Sequence, residues 1–173
     1  MTRQSMLPPD LAPRVLSATD SSPSQAATDP RPGLSGLAID ELRRWFAERG
    51  EPEYRSRQVL EAVWRGRARA ADEMRTLPAA TRAALEAGFR VDTIVETEAR
   101  PADDGLTVKA LHRLSDGQLV ESVLMRYPAR AGSRERATLC ISSQAGCAVG
   151  CPFCATGELG FGRDLETAEI LDQ

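Results

Sequence analysis

The chain has 173 residues, of which 42% are hydrophobic, 27% charged and 5% aromatic, and its formal net charge is −3. This composition is typical of a globular protein. The acidic balance excludes a strongly basic protein that holds nucleic acid through a broad positive field. No run of about 18 apolar residues is present, which excludes a membrane-spanning helix of ordinary length.

The N-terminal segment, residues 1–35, is rich in proline and serine and has neither a helical nor a strand period. We predict a disordered leader there. Because the segment also lacks the continuous apolar core of a secretory signal, and because the chain has no scattered cysteine pairs, we expect a protein of the reducing cytoplasm.

Residues 36–90 predict a small helical accessory domain. One helix is expected at 40–50, a second at 54–65, and a third between Pro78 and Gly88, since proline suits a first helical turn and glycine a terminus. Apolar residues recur at helical spacing, and we assign them to a core: Leu42, Trp45, Phe46, Val59, Leu60, Val63, Trp64 and Leu85.

Five arginines crowd the second helix and the segment that follows it: Arg55, Arg57, Arg65, Arg67 and Arg69. A solvated face of mixed charge explains them most simply. A module that grips folded RNA through its phosphates remains an alternative.

Residues 91–136 predict a connecting β segment. Strands are expected at 93–98, 107–114 and 119–125, and the Asp116-Gly117 pair within 115–118 is typical of a hairpin turn. A further strand is expected at 137–142, followed by a loop and by a helix at 165–173. This last strand, the loop and the start of a helix form one incomplete βα unit, which cannot bury its strand without neighbouring elements. We therefore expect an α/β protein, α+β over this span, of which the chain is an N-terminal fragment.

All four cysteines lie between residues 140 and 154, and three of them, Cys147, Cys151 and Cys154, form a C-x3-C-x2-C pattern. Soft thiolates favour iron–sulfur clusters, zinc or Cu(I) over hard ions. Gly146 and Gly150 allow the backbone to curl beside them.

The number of ligands separates these metals. Structural zinc normally has four ligands, and here the fourth would have to be the distant His112 or Cys140, which lies in a predicted strand. A [4Fe–4S] cluster held by three cysteines keeps one iron open for a further ligand, and this is the interpretation that we favour. Zinc, and thiols that are inert or redox-active, remain the alternatives.

The cysteine pattern after a strand resembles the signature of the radical S-adenosylmethionine enzymes, in which Phe153 would be the aromatic residue that commonly precedes the third cysteine. In that superfamily the open iron binds S-adenosylmethionine, and one electron from an external donor cleaves it to methionine and a 5′-deoxyadenosyl radical. The resemblance implies that residues 137–173 begin a TIM-like barrel.

A closer resemblance is to the adenine-C2 RNA methyltransferases of the RlmN type, with the Cfr type as near relatives. It covers about residues 36–173. It depends on TLCISSQAGC at 138–147, CATG at 154–157, GFGR at 160–163 and EILDQ at 169–173. Upstream matches are Leu42, Trp45-Phe46, Tyr54-Arg55, Arg57-Gln58, DEM at 72–74, Leu77-Pro78, Asp104-Gly105, Lys109, ESV at 121–123 and Tyr127-Pro128. Two departures are an extra residue between Asp104 and Lys109 and an aspartate, Asp164, where asparagine is typical.

The resemblance implies residue roles and partners. Cys147, Cys151 and Cys154 would hold the cluster. Glu121 would be the general base that takes the C2 proton, and Cys140 would form a transient disulfide with a methyl-carrying cysteine further along the chain. The residues alone would make Glu121 a solvent-facing strand residue and Cys140 a small buried one.

The expected substrates are 23S rRNA and tRNA, modified by a cytoplasmic monomer. The alternatives are a zinc- or cluster-containing RNA-binding module without catalysis, and a different radical S-adenosylmethionine enzyme.

Overall fold

A computed structural model describes residues 29–130, 132 and 134–173, which form two compact units. The helical unit comprises residues 29–93 and Glu166–Asp172. The sheet unit comprises Ile94–Leu165 and Gln173. Most of the predicted leader, residues 1–28, lies outside the described residues.

Three helices form the body of the helical unit: α1 at Ile39–Ala47, α2 at Tyr54–Trp64 and α3 at Ala79–Gly88. Each lies where the periodicity predicts it. The first turn of α1 is stabilised by Glu41, whose carboxylate accepts a hydrogen bond of 2.8 Å from the backbone N–H of Ala38. Helix α3 starts immediately after Pro78 and is rich in alanine, the strongest helix former.

The core of the helical unit contains most of the predicted apolar residues. The ring of Trp45 packs edge-on against that of Phe46, with 5.0 Å between the ring centroids. It also packs against the ring of Phe89 in a tilted arrangement, with 5.2 Å between the centroids. Trp64 differs from the prediction, because it is 52% exposed at the last position of α2. The fully enclosed residues are Leu34, Leu42, Phe46, Val59, Met74, Leu77, Leu85 and Phe89.

The packed region begins before residue 36, where the sequence predicts the end of the leader. Leu34 is completely buried, and its N–H donates a hydrogen bond of 2.8 Å to the carbonyl of Arg90. The N–H of Arg90 donates in turn to the carbonyl of Pro32 at 3.0 Å. These bonds tie the segment before α1 to the end of α3, so burial of one leucine extends the unit beyond its periodic helices.

A short helix at Thr167–Leu171, which we number α5, also belongs to the helical unit. Helix α5 packs closely against the segment that precedes α1, since a Cβ added at Gly33 would lie 2.2 Å from the Cβ of Ala168. Buried Arg90 forms an ion pair of 2.6 Å with Glu166. Glu169 is acidic and yet only 1% exposed, and its carboxylate accepts a 2.8 Å hydrogen bond from the N–H of Glu166.

The sheet unit contains a four-stranded antiparallel sheet in the order β1-β2-β3-β4. Its strands are β1 at Ile94–Ala102, β2 at Thr107–Leu114, β3 at Leu119–Tyr127 and β4 at Arg136–Cys140. All four lie where the sequence predicts strands. Strand β4, which the resemblance makes the first strand of a barrel, is here an edge strand antiparallel to β3.

The cysteine loop, residues 147–160, is flanked by a second, two-stranded sheet that the sequence does not predict. Strand β5 at Gln144–Gly146 precedes the loop, and β6 at Phe161–Asp164 follows it. A single turn of helix, α4 at Ala155–Glu158, lies within the loop. Strands of three and four residues are too short to show a period of two, which explains why the pattern does not indicate them. Within the described ranges, no helix has the length and apolar character that crossing a bilayer requires.

Candidate functional site

The pairing of the strands decides which predicted site residues share a face of the sheet. Lys109 lies opposite Val123, and Val123 lies opposite Cys140. Directly paired residues project from the same face, and so do residues two apart along a strand. Lys109, Glu121 and Cys140 therefore share one face, which we call the polar face.

Glu121 lies at an accessible position on the polar face. One carboxylate oxygen, Oε1, lies 2.6 Å from Nζ of Lys109, and about half of each side chain is exposed. The main-chain carbonyl of Glu121 accepts a 2.8 Å hydrogen bond from the hydroxyl of Ser142, so the chain that leaves β4 is held beside it. The prediction of a solvent-facing strand residue is consistent with this exposure.

Cys140 is a diagonal cross-strand neighbour of Glu121, because its direct partner is Val123. Diagonal neighbours in antiparallel sheets lie about 7–8 Å apart. The residue pattern alone made Cys140 a small buried residue, and this is wrong, because Cys140 is exposed and carries a free thiol. An edge strand leaves its residues accessible, and all five residues of β4 are exposed.

The opposite face of the sheet is buried at several positions of β2 and β3 and contains the only histidine of the chain. Nδ1 of His112 lies 2.9 Å from the hydroxyl of Thr97, and Nε2 lies 2.7 Å from the hydroxyl of Ser122. His112 is 5% exposed. Since both ring nitrogens already have hydrogen-bond partners inside the sheet, His112 is unsuited to complete a zinc site with the cysteines.

The cysteine loop is closed at its base by backbone contacts. The N–H of Cys147 donates a 2.9 Å hydrogen bond to the carbonyl of Gly160. Gly146 has a φ of +76°, and an added Cβ would lie 2.0 Å from the carbonyl oxygen of Gly160. Only glycine satisfies both the left-handed conformation and this close approach.

The three cysteines of the loop are half-buried free thiols. The N–H groups of Gly157 and Thr156 donate hydrogen bonds that hold the pKa of Cys154 below its ordinary value, because they stabilise the thiolate. Among residues 29–130, 132 and 134–173, however, no group of three or more His, Cys, Asp or Glu side chains is arranged to hold a metal ion.

The donor set nevertheless fits an iron–sulfur cluster in its chemistry. Thiolates are the ligands that such clusters use, and the loop supplies three of them from a single segment between β5 and β6. Backbone N–H donors that favour the thiolate form, as at Cys154, also favour metal binding, since a thiol must lose its proton to bind.

The loop is joined to the four-stranded sheet by an ion pair that the sequence does not indicate. Nε of Arg163, on β6, lies 2.6 Å from Oδ2 of Asp116, in the turn between β2 and β3. The Asp116 side chain is 13% exposed and that of Arg163 is 33% exposed. This pair holds β6, and with it one end of the cysteine loop, against the sheet.

Substitution of Asp116 by asparagine is expected to lower the free energy of unfolding at pH 7 by about 1 kcal/mol or less, as for partly exposed ion pairs. Burial raises the pKa of Asp116, but hydrogen bonds from Arg163 and from the N–H of Gln118 together lower it by more, so the net pKa lies below its ordinary value. A lowered pKa in the folded state gives stability above the unfolded pKa, and this stability is lost as the pH falls through the lowered value.

The measurement is urea unfolding of the unsubstituted chain and of Asp116→Asn between pH 7 and pH 3, with Asp103→Asn as the control variant. The difference in the free energy of unfolding between Asp116→Asn and the unsubstituted chain should be largest near neutral pH and should shrink towards pH 3. A difference that stays constant over this range would contradict the ion pair as its cause.

Three of the five arginines in this group of the helical unit have acidic partners. Arg55 lies 3.4 Å from Glu51, Arg65 lies 3.8 Å from Glu61, and Arg69 lies 2.8 Å from Asp92. These contacts favour the solvated face of mixed charge over a surface reserved for phosphates.

Lys109 is the residue of the polar face to which the sequence assigns no role. Two features of the sequence single out Lys109. It is the only lysine among 22 basic residues, and it lies in the predicted strand just before the hairpin turn, so it is expected to pair with a residue of β3. Neither feature reveals its partner, because the pairing register depends on the length of the turn.

The structure is similar to the crystal structure of a radical SAM methyltransferase from Sphaerobacter thermophilus, with a TM-score of 0.74, 40% identity, and coverage of 81% of this chain and 39% of that one. Residues 33–91 match the family model of the ribosomal RNA large subunit methyltransferase N-terminal domain.

Curated relatives named "Probable dual-specificity RNA methyltransferase RlmN" match most of the chain. The relative from Acidothermus cellulolyticus is 44% identical over 81% of this chain and 36% of its own length. The relative from Salinispora tropica is 43% identical over 88% of this chain and 39% of its own length. The chain is similar to these relatives over most of its own length, and it spans little more than a third of theirs.

Proposed function

We propose that the protein containing this chain methylates C2 of adenine in 23S rRNA and in tRNA by radical S-adenosylmethionine chemistry. The observation that carries the proposal is the polar face, where an accessible carboxylate, Glu121, and a free thiol, Cys140, lie on neighbouring strands. The cysteine loop follows Cys140 in the chain. Similarity to relatives named as RNA methyltransferases supports the choice of RNA as the substrate.

Cys147, Cys151 and Cys154 would hold a [4Fe–4S] cluster. When bound, the cluster supplies the electron, taken from an external donor, that cleaves S-adenosylmethionine to methionine and a 5′-deoxyadenosyl radical. Adenine C2 is an electron-poor carbon without a lone pair, so a radical route suits it better than polar methyl transfer. The protein orients and shields this chemistry.

Two residues of this chain act on the substrate side in the proposal. Glu121 takes the proton from C2 once the methyl-derived carbon is attached, and it must approach that proton to about 3 Å. Cys140 forms a disulfide with the methyl-carrying cysteine, which lies outside this chain. An exposed thiol on an edge strand is accessible to such a partner.

The same proposal places the enzyme in the cytoplasm, where its RNA substrates and a reducing environment are found, and describes it as a monomer. The first strand of the expected barrel, β4, would acquire further strands from the rest of the protein. We propose this barrel by analogy with the family.

The test uses a protein of the relatives' full length that contains this chain. It is loaded with iron and sulfide without oxygen, and the metal is counted. S-adenosylmethionine, a reductant and RNA are then added, and 5′-deoxyadenosine and 2-methyladenosine are measured by mass spectrometry. Iron at about four atoms per chain, as a [4Fe–4S] cluster requires, together with both products supports the proposal. One zinc per chain, or iron without 5′-deoxyadenosine, would instead indicate an RNA-binding module.

A further inference from the structure

We infer that Lys109 is a positioning residue for Glu121, which it holds by one carboxylate oxygen so that the other stays free to accept the proton. The inference rests on the proposed role of Glu121 as the general base. It adds to that role the residue that orients the base and the reason why that residue is a lysine.

The contact between the two side chains involves one oxygen. Nζ of Lys109 lies 2.6 Å from Oε1 of Glu121. Lys109 projects from β2 opposite Val123, two residues along β3 from Glu121, so the pair is diagonal across the strands. Both side chains are about half exposed, which leaves room for a substrate to approach Oε2.

The neighbouring charges direct Lys109 towards Glu121. Arg100 lies directly opposite Lys109 on β1 and forms an ion pair of 2.6 Å with Glu98. The next carboxylate along β1, Glu96, lies 3.3 Å from Arg113. Because arginines pair with both carboxylates of β1 on this face, the ammonium group of Lys109 pairs across to β3.

The choice of lysine has a chemical consequence. A guanidinium group is a planar fork that can bond both oxygens of a carboxylate, whereas an ammonium group is a compact point charge. A carboxylate bonded at both oxygens keeps fewer free lone pairs for a proton than one bonded at a single oxygen. The chain has lysine at this position alone among its 22 basic residues. On the same face, Arg100 and Arg113 pair with Glu98 and Glu96, and each pair involves one carboxylate oxygen.

The step that this arrangement serves is a proton transfer. The C2–H bond of the substituted adenine breaks, the proton forms an O–H bond with Oε2 of Glu121, and the electron pair of the broken bond stays on the nucleobase. Lys109 neither gains nor loses a bond to the substrate. Its contribution is to fix the direction of the carboxylate.

The experiment compares Lys109→Met and Lys109→Arg in the full-length, cluster-loaded enzyme, with RNA that carries hydrogen or deuterium at the target C2. We expect both variants to lower methylation by about tenfold or more, within the roughly 10²–10⁴-fold that a general base contributes. Both should show an increased C2 deuterium isotope effect, because proton transfer becomes slower. Cleavage of S-adenosylmethionine should be unchanged. Added ethylammonium should partly restore Lys109→Met but not Lys109→Arg.

The matched control is Arg113→Met, which removes a basic residue from the same strand, the same face and a similar ion pair. It should methylate at the unsubstituted rate, with an unchanged isotope effect. Lys109 variants with normal rates and isotope effects would overturn the inference while the proposed function stands. Full activity of Lys109→Arg would overturn the one-oxygen argument. An unsubstituted enzyme that leaves the C2 hydrogen in place would overturn the proposed function, and the inference with it.

Discussion

Replacement of Cys147, Cys151 or Cys154 by alanine is expected to abolish 5′-deoxyadenosine formation by the full-length protein. Each change removes one of the three thiols proposed as cluster ligands, and the chain offers no fourth cysteine in the loop to replace it. Loss of an outer-shell partner already lowers metal affinity or activity by about 10–100-fold, and loss of a direct ligand should cost more. Iron content, visible absorption of the cluster and 5′-deoxyadenosine are the measurements.

The control for these three variants is Cys140→Ala, which removes a thiol that is not in the loop. It should keep its iron and should still cleave S-adenosylmethionine, while release of methylated RNA stalls because the transient disulfide cannot form. Normal 5′-deoxyadenosine formation by any of the three loop variants would contradict the ligand assignment. Loss of iron in Cys140→Ala would assign that cysteine to the metal instead.

Substitution of Glu121 by glutamine is expected to lower RNA methylation by roughly 10²–10⁴-fold, the usual contribution of a general base. Glutamine has the same shape but cannot take the C2 proton. The local fold should be kept, because Ser142 binds the main-chain carbonyl of Glu121 rather than its side chain. The measurements are 2-methyladenosine, 5′-deoxyadenosine and any RNA that stays attached to the protein.

Glu96→Gln provides the matched control, because Glu96 is a partly exposed carboxylate on the same face and is paired with Arg113. It should methylate RNA at the unsubstituted rate. Equal loss of activity in Glu96→Gln and Glu121→Gln would indicate that methylation depends on the total charge of the polar face, and not on Glu121 as the general base. Full activity in Glu121→Gln would exclude Glu121 from proton transfer.

The sequence predicts the local structure well where the period is long enough to read. The helices at 39–47, 54–64 and 79–88 have apolar residues at spacings of three and four, and exposed and buried residues alternate over the first four positions of β3. Strands β5 and β6 are too short for such a pattern. Burial of Glu169 and exposure of Trp64 depend on what packs against each helix, which no helical period reports.

The sequence predicts a soft metal at the cysteine loop, because thiolates favour such metals, and this stays a prediction. Their arrangement cannot be read in the same way. The structure adds the backbone contacts that close the loop at Gly146 and Gly160, and the ion pair of Asp116 with Arg163. Each of these joins residues that are distant in the chain.

By itself the sequence determined the types of residue that carry the chemistry, and only the tertiary structure decided which of them meet. The turn after β2 contains three residues, because Leu114 pairs with Gln118 and Gly117 adopts a φ of +84°. Had all four predicted turn residues, 115–118, formed the turn, Glu121 would lie opposite His112 and would face away from Lys109. A shift of one residue in a strand moves every side chain to the other face, so the conformation of this turn decides whether Glu121 and Lys109 share a face.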